Sequence, residues 1–324
     1  MLIRACLTGI LLACVAVSAD AEVFELAPGQ DLIGEPGMTT SHHEDTLPDI
    51  ARLHHLGFDE IAAANPGVDI WLPGEGTRIV LPTQHLLPNV PRTGVVVNLG
   101  DGRLYYFRKD AAGRPLVETY PVSVGQVGRT MPLGLTRIVA KQKKPTWYPP
   151  KSIRDRHLKE GDALPPFIPP GPDNPLGEYA LRLGIPSGAY LIHGTNRPVS
   201  VGLQITNGCI RLYPEDIENL FRQIPVGTQV RVINQRIKTG WGPDGALYLE
   251  VHQPLEGTDP KDVEDLTAVT KSVVAATSER HVIIDWDAAE KVFSEQRGEA
   301  VRISVDRWVE PAAPSRSRQR ADRQ

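Results

Sequence analysis

His193 and Cys209 are the two side chains whose types and surroundings most favour chemistry. His193 opens the run His193-Gly194-Thr195-Asn196, and Cys209 follows it by sixteen residues, within Thr206-Asn207-Gly208-Cys209-Ile210-Arg211. A cysteine attacks carbonyls as its thiolate, so it needs a base for its proton and donors for the oxyanion that forms. His193 can be that base. Gly208 lets the backbone turn sharply ahead of the thiol, exposing the sulfur and turning the amides of Asn207, Gly208 and Cys209 toward one oxyanion position. Thr206 can hydrogen-bond within that turn and hold it. Taken singly, a histidine is more often structural and a cysteine more often core filler; their joint occurrence with glycine neighbours shifts the weight to catalysis.

The rest of the cysteine inventory supports this. Arg4 precedes an apolar run from Ala5 to Val17, and Ala19-Asp20-Ala21 has the small-x-small pattern of a signal-peptidase site, so residues 1–21 read as an export signal. Cys6 and Cys14 leave with it, unless Leu11-Leu12-Ala13-Cys14 serves as a lipoprotein box and anchors the chain through Cys14. Cys209 is then a lone thiol in an oxidising compartment, with no disulfide partner to explain it. No later segment approaches the roughly twenty apolar residues of a membrane span. A net charge of −4 lacks the basic excess of nucleic-acid ligands, so no nucleic acid is expected as a partner.

A length of 324 residues predicts two or three domains, and 29 Gly with 29 Pro favours strands and turns over long helices. Residues 22–87 read as a small βααβ module: a strand from Phe24, a helix capped by Thr46 through Ile50, Ala51 and Leu53, a second helix over Phe58 to Ala64, and a closing strand over Thr77 to Leu81. A linker, Pro88 to Pro91, leads to a β-rich domain over 92–236. There Val95-Val96-Val97 and Leu104-Tyr105-Tyr106-Phe107 flank the hairpin Gly100-Asp101-Gly102, and strands are predicted over Val117 to Val124, Thr136 to Ala140, Tyr190 to His193 and Gln229 to Ile233. One helix stands out in this domain, Pro214 to Gln223, with proline and acids at its start and Ile217, Leu220 and Phe221 on one face. His193 thus ends a strand, and Cys209 opens the turn toward this helix across the loop Thr195 to Ile205. Residues 237–310 read as a mixed α/β appendage, with strands over Ala246 to Val251, Val282 to Ile284 and Ala300 to Val305 and helices over Asp262 to Thr277 and Asp287 to Phe293. The tail, 311–324, cannot bury a core and should be disordered.

Tyr190 to Leu212 resembles the signature of the YkuD-type L,D-transpeptidases throughout: histidine-glycine-threonine, then serine or threonine, any residue, glycine and cysteine. The similarity extends from about Gly94 to Ile233, and the fold it implies is a β-sandwich-like catalytic domain. Asp45-Thr46-Leu47, Ile50-Ala51, Asn65-Pro66, Leu72-Pro73-Gly74 and Val80-Leu81-Pro82 resemble a lysin-motif module, which binds glycan chains of N-acetylglucosamine type. The runs Gly171-Pro172-Asp173-Asn174-Pro175 and Asn65-Pro66-Gly67-Val68-Asp69 are similar to the periplasmic Gram-negative subgroup that carries an N-terminal lysin-motif module. The family commonly has histidine where this chain has Asn207.

The resemblance implies that Cys209 attacks the L-centre carbonyl of meso-diaminopimelate in a peptidoglycan tetrapeptide stem, expels D-alanine and forms a thioester, with His193 as base and the Gly194 carbonyl orienting it. An amine then resolves the thioester; subgroup resemblance favours the C-terminal lysine of a Braun-type outer-membrane lipoprotein over another stem's diaminopimelate. Arg211 would meet a substrate carboxylate or, equally well, pair with Glu215 or Asp216; Thr195 and Asn196 would line the substrate site. From Arg137 to Lys159, eight Lys or Arg face one Asp among prolines and aromatics, which suggests a basic flap that attracts anionic stems. A cysteine peptidase using the same pair with water, and a non-catalytic wall-binding protein, are the competing readings. No cofactor or metal is expected, because His193 and Cys209 lack clustered further ligands, and His42-His43 and His54-His55 read as surface residues.

Overall fold

The computed structural model describes residues 22–305 apart from 187 and 281; the expected export signal and tail lie outside these residues. Val95-Val96-Val97 shows how the main sheet is built. Successive strand side chains point to opposite faces, so three valines in a row are buried only where both faces are covered. Val95 and Val97 enter one core and Val96 another. Their strand, Gly94–Asn98, belongs to a nine-stranded sheet in the order Val23–Glu25, Pro115–Pro121, Arg103–Lys109, Gly94–Asn98, Gln229–Ile233, Gly134–Lys143, Tyr179–Leu183, Leu191–His193 and Ile210–Arg211. The sheet curls, so that Leu104 and Tyr120 from one half meet Leu181 and Ile192 from the other in a single core. The architecture is mainly β, as expected. In the Arg103 hairpin only Gly102 takes positive φ, +63°. Gly100 is required for another reason: a Cβ there would lie 2.8 Å from the Arg236 amide nitrogen.

Among the described residues six α-helices accompany the strands: α1 (Leu47–Leu53), α2 (Phe58–Ala64), α3 (Lys151–Lys159), α4 (Pro214–Gln223), α5 (Leu266–Ala276) and α6 (Trp286–Glu295). In the N-terminal module, Thr46 Oγ1 accepts the Asp49 amide at 3.2 Å and caps α1. Asn65 ends α2 and ties it to the closing strand, donating to Ile61 O and Val80 O and accepting the Val80 amide at 2.7 Å. The strand expected from Phe24 behaves differently. Val23–Glu25 leaves the module and pairs with Pro115–Pro121, where Phe24 covers the second core; within the module Leu32–Ile33 pairs with His85–Leu86 and Gly37–Thr40 with Arg78–Leu81, both antiparallel.

Helix α4 closes the main core with Ile217, Leu220 and Phe221, each worth roughly 1.5–3 kcal/mol of burial. Pro214 sits in the first turn, where a missing N–H is harmless, and Lys141 Nζ donates to the Ile224 carbonyl at 2.7 Å beyond the last.

The appendage is built on Ile237–Trp241 paired with Leu247–Val251, with α5 and α6 covering their apolar face. Ile237–Trp241 carries a fully buried Lys238, which hides it from any reading of hydrophobic pattern. Lys238 Nζ lies 2.8 Å from Asp101 Oδ2, 2.6 Å from Glu250 Oε1 and 2.8 Å from the Leu86 carbonyl, so one ammonium joins module, sheet and appendage. Asp101, Glu250 and His252 have the spacing of a cation site, and this ammonium fills it. Burial pulls against the Lys238 charge, but the two carboxylates more than offset it and raise its pKa well above the ordinary value. Lys238→Met is therefore expected to strand two buried carboxylates and cost about 3–5 kcal/mol, read as a lowered urea midpoint. An unchanged midpoint would show that the node does not hold the domains together.

Candidate active site

Strand register decides which side chains can meet. Leu191–His193 pairs antiparallel with Tyr179–Leu183, setting His193 opposite Ala180 and Leu191 opposite Arg182, and parallel with Ile210–Arg211, setting His193 beside Arg211. Because faces alternate, His193, Leu191, Arg182 and Arg211 share one face while Leu181, Ile192 and Ile210 enter the core. On the open face lies a cleft of about 400 Å³, lined by His193, Cys209, Arg211, Arg182, Gln142, Leu191, Thr206 and Asn207 and roofed by Thr146, Trp147, Tyr148, Pro150 and Ile153. A larger cavity of about 900 Å³, between the module and the Val23–Glu25 strand, contains neither His193 nor Cys209.

His193 is buried, and its Nδ1 lies 2.6 Å from the Gly194 carbonyl oxygen. A carbonyl only accepts, so Nδ1 carries the proton and Nε2 keeps its lone pair. Burial first, then the Arg211 charge, hold the imidazole down at about 4 against that hydrogen bond. Cys209 is half-buried, with Sγ 4.0 Å from the Ala189 carbonyl. Burial pushes its thiol up, while the Leu191 amide and Arg211 pull it down less strongly. The resting pair is therefore neutral thiol and neutral imidazole.

Gly208 has φ of +101°, a conformation costly for residues with a Cβ, and a Cβ would meet Tyr190 Cε1 at 3.0 Å. Thr206 holds this turn twice: its hydroxyl donates to the Cys209 carbonyl at 2.6 Å and accepts the Gly208 amide at 3.2 Å. Of the three amides the sequence offers to an oxyanion, Gly208's is thus engaged. The Asn207 side chain accepts from Arg129 Nη1, a partner unforeseen from sequence.

Arg211 does not pair with Glu215 or Asp216. Those acids face the module, where Arg52 Nε lies 2.8 Å from Glu215 and His55 Nδ1 3.3 Å from Asp216. His54 and His55 are accordingly half-buried rather than surface residues, since the end of α1 packs against the start of α4; His42 and His43 are exposed. Arg211 Nη1 donates to Ser200 Oγ at 2.9 Å, and its buried Nε has no protein partner. Neither Thr195 nor Asn196 lines the cleft. Thr195 is buried and its hydroxyl accepts the Arg197 amide at 2.9 Å, while Asn196 faces solvent. The loop they begin is held from outside, by Phe58 N–H donating to the Val201 carbonyl at 2.9 Å and Ser123 Oγ to that of Ser200 at 2.7 Å.

The flap is more ordered than its prolines suggest. Trp147 and Ile168 exchange backbone hydrogen bonds of 2.9 and 2.8 Å, and the fully buried Asn174 clasps its base, donating to Pro145 O at 2.7 Å. Helix α3 forms its far side, with Ile153 as its one buried residue, too few for a hydrophobic repeat to announce it. Not all the flap's cations face the cleft: Lys141 binds the end of α4 and Lys143 lies over the Tyr179 ring, whereas Arg154 and Lys159 on α3 are exposed.

A curled β sheet that presents a histidine and a thiol on one cleft defines a class, and comparison with known proteins agrees. The family described as "YkuD: L,D-transpeptidase catalytic domain" matches residues 92–232. Probable L,D-transpeptidase ErfK/SrfK of Escherichia coli strain K12 is 38% identical over 88% of this chain and 91% of its own, and probable L,D-transpeptidase YcfS of the same strain 40% over 74% and 76%. Among solved structures, the Ldtfm-avibactam carbamoyl enzyme aligns at 19% identity, covering 48% of this chain and 55% of its own with a TM-score of 0.34. The chain belongs to the L,D-transpeptidases, enzymes that act on peptidoglycan.

Proposed function

We propose that Cys209 is the nucleophile and His193 the base of an L,D-transpeptidation on tetrapeptide stems. Cys209 Sγ attacks the L-centre carbonyl of meso-diaminopimelate; the C–S bond forms, the amide to D-alanine breaks, and His193 Nε2 takes the thiol proton and passes it to the leaving amine. The acceptor amine then attacks the thioester, restoring the thiol and leaving a new amide. The observation that carries this reading is the shared cleft of a free thiol and a buried imidazole whose Nδ1 is committed to the Gly194 carbonyl. The amides of Asn207 and Cys209 are the oxyanion donors, and Arg211 meets a substrate carboxylate from beside the thiol. Intact mass tests it: mixing the enzyme with a defined tetrapeptide should yield an acyl-enzyme and free D-alanine, and a mass that never changes would reject it.

The acceptor favoured by subgroup resemblance is the C-terminal lysine of a Braun-type lipoprotein, with reaction in the periplasm after export. Equal amounts of a lysine-terminated lipoprotein peptide and a tripeptide stem should give mainly the lipoprotein product; predominant stem dimer would reverse the preference. The N-terminal module is the part proposed to contact glycan strands, and it exposes Trp71 and Leu72.

Stems are anionic, and the exposed cations Arg154 and Lys159 sit on α3, the helix that brings Ile153 to the cleft. The specificity constant should therefore fall as salt shortens the Debye length from about 30 to 8 Å. Reversing Arg154 and Lys159 to glutamate should flatten that slope. An unaltered slope would leave these charges as ordinary surface.

A further inference from the structure

Arg182 is exposed on the cleft floor, on the same sheet face as His193, and among the described residues its guanidinium has no ion pair or hydrogen bond. Arg129 is taken up by Asn207, and Arg211, with Nη1 on Ser200, stands beside the thiol rather than at this end of the cleft. A guanidinium left open in a cleft, under Trp147 and Tyr148, is set up to take a carboxylate by two parallel hydrogen bonds. Resting on the transpeptidase reading above, we infer that Arg182 binds the free carboxylate at the D-centre of the donor's diaminopimelate, and so selects stems that carry it.

The reach follows from register. Arg182 is opposite Leu191, two residues before His193, so Arg182 and His193 are diagonal neighbours roughly 7–8 Å apart along the sheet. In diaminopimelate three methylenes separate the reacting L-centre from the D-centre, which carries the far carboxylate over a comparable span. A stem with its L-centre carbonyl at Cys209 can therefore lay this side chain along Leu191 toward Arg182. Arg211 lies on the other side of His193, beside the thiol, and is left to groups close to the scissile bond.

The test measures the rate of acyl-enzyme formation by intact mass without any acceptor, using two donor tetrapeptides that differ only in amidation of the D-centre carboxylate. For the wild type, amidation should lower kcat/KM for acylation roughly tenfold. Arg182→Gln should show a similar loss with the native donor and no further loss on amidation, and Arg182→Lys should recover part of it. Alkylation of Cys209 by uncharged iodoacetamide should be the same in all three proteins, which separates loss of recognition from damage to the thiol. A wild type that acylates both donors equally, or an Arg182→Gln variant that still discriminates, would overturn the assignment. No acyl-enzyme from either donor with the wild type would overturn the transpeptidase reading itself, and this inference with it.

Discussion

Cys209→Ala should abolish acyl-enzyme formation, with a loss of roughly four orders of magnitude or more in kcat/KM, and leave the fold intact. The side chain is half-buried and its hydrogen-bond contact is long, 4.0 Å to the Ala189 carbonyl, so removing sulfur costs little packing. A carbapenem, whose strained carbonyl is an alternative electrophile, should add its mass to the wild type and not to the variant. Cys209→Ser should fail almost as completely. Its hydroxyl is a far weaker acid than a thiol, and a base held at about 4 has little power to activate it. The same pair of shifts predicts how the native thiol behaves toward a simple alkylating agent. Since burial raises the Cys209 value, alkylation near neutral pH should be slower than for a free thiol and should keep rising through the alkaline range. An adduct that persists in Cys209→Ala would move the chemistry elsewhere.

The parts of this molecule that could be read from sequence are those whose physics is local. Helix α4 is bounded by proline at its start and carries three apolar residues on one face, and the structure gives it the limits Pro214–Gln223 that this pattern implies. Thr46 caps α1 through a bond that spans three residues. The Thr206 turn likewise needs only its own hydroxyl and the φ of Gly208. What stayed illegible depends on partners distant in the chain. Val23–Glu25 has no local reason to join Pro115–Pro121 rather than its own module. Lys238 makes its strand look exposed until Asp101, remote in sequence, is placed 2.8 Å away. Tyr179–Leu183 escapes local reading for a related reason: its alternation is brief and follows a proline-rich stretch, which hides Arg182 with it. The cleft chemistry was legible at His193 and Cys209 because glycine and threonine neighbours specify a turn locally, whereas the residues that shape specificity arrive by sheet register.

Replacing His193 by glutamine should slow acylation by roughly 10²–10⁴-fold, the usual range for loss of a positioned general base. Glutamine keeps an N–H that can donate to the Gly194 carbonyl, so the local turn has a substitute for the bond that Nδ1 makes. The defect should narrow as pH rises, because solvent then removes the thiol proton that His193 otherwise takes. Stability should carry a second, independent signature. The imidazole is held at about 4 in the folded protein, below its ordinary value near 6.5, so the unfolded chain binds the proton more tightly. The contribution is therefore fully present above about 6.5 and is lost as pH falls through about 4, amounting to roughly 3 kcal/mol between those limits. Urea midpoints of the wild type should drop across this window relative to those of His193→Gln, which has nothing to protonate there. Equal acylation rates for the two proteins, with unchanged melting, would remove His193 from the mechanism. A parallel pair of stability profiles would mean that the imidazole is less secluded than its place beneath the flap implies.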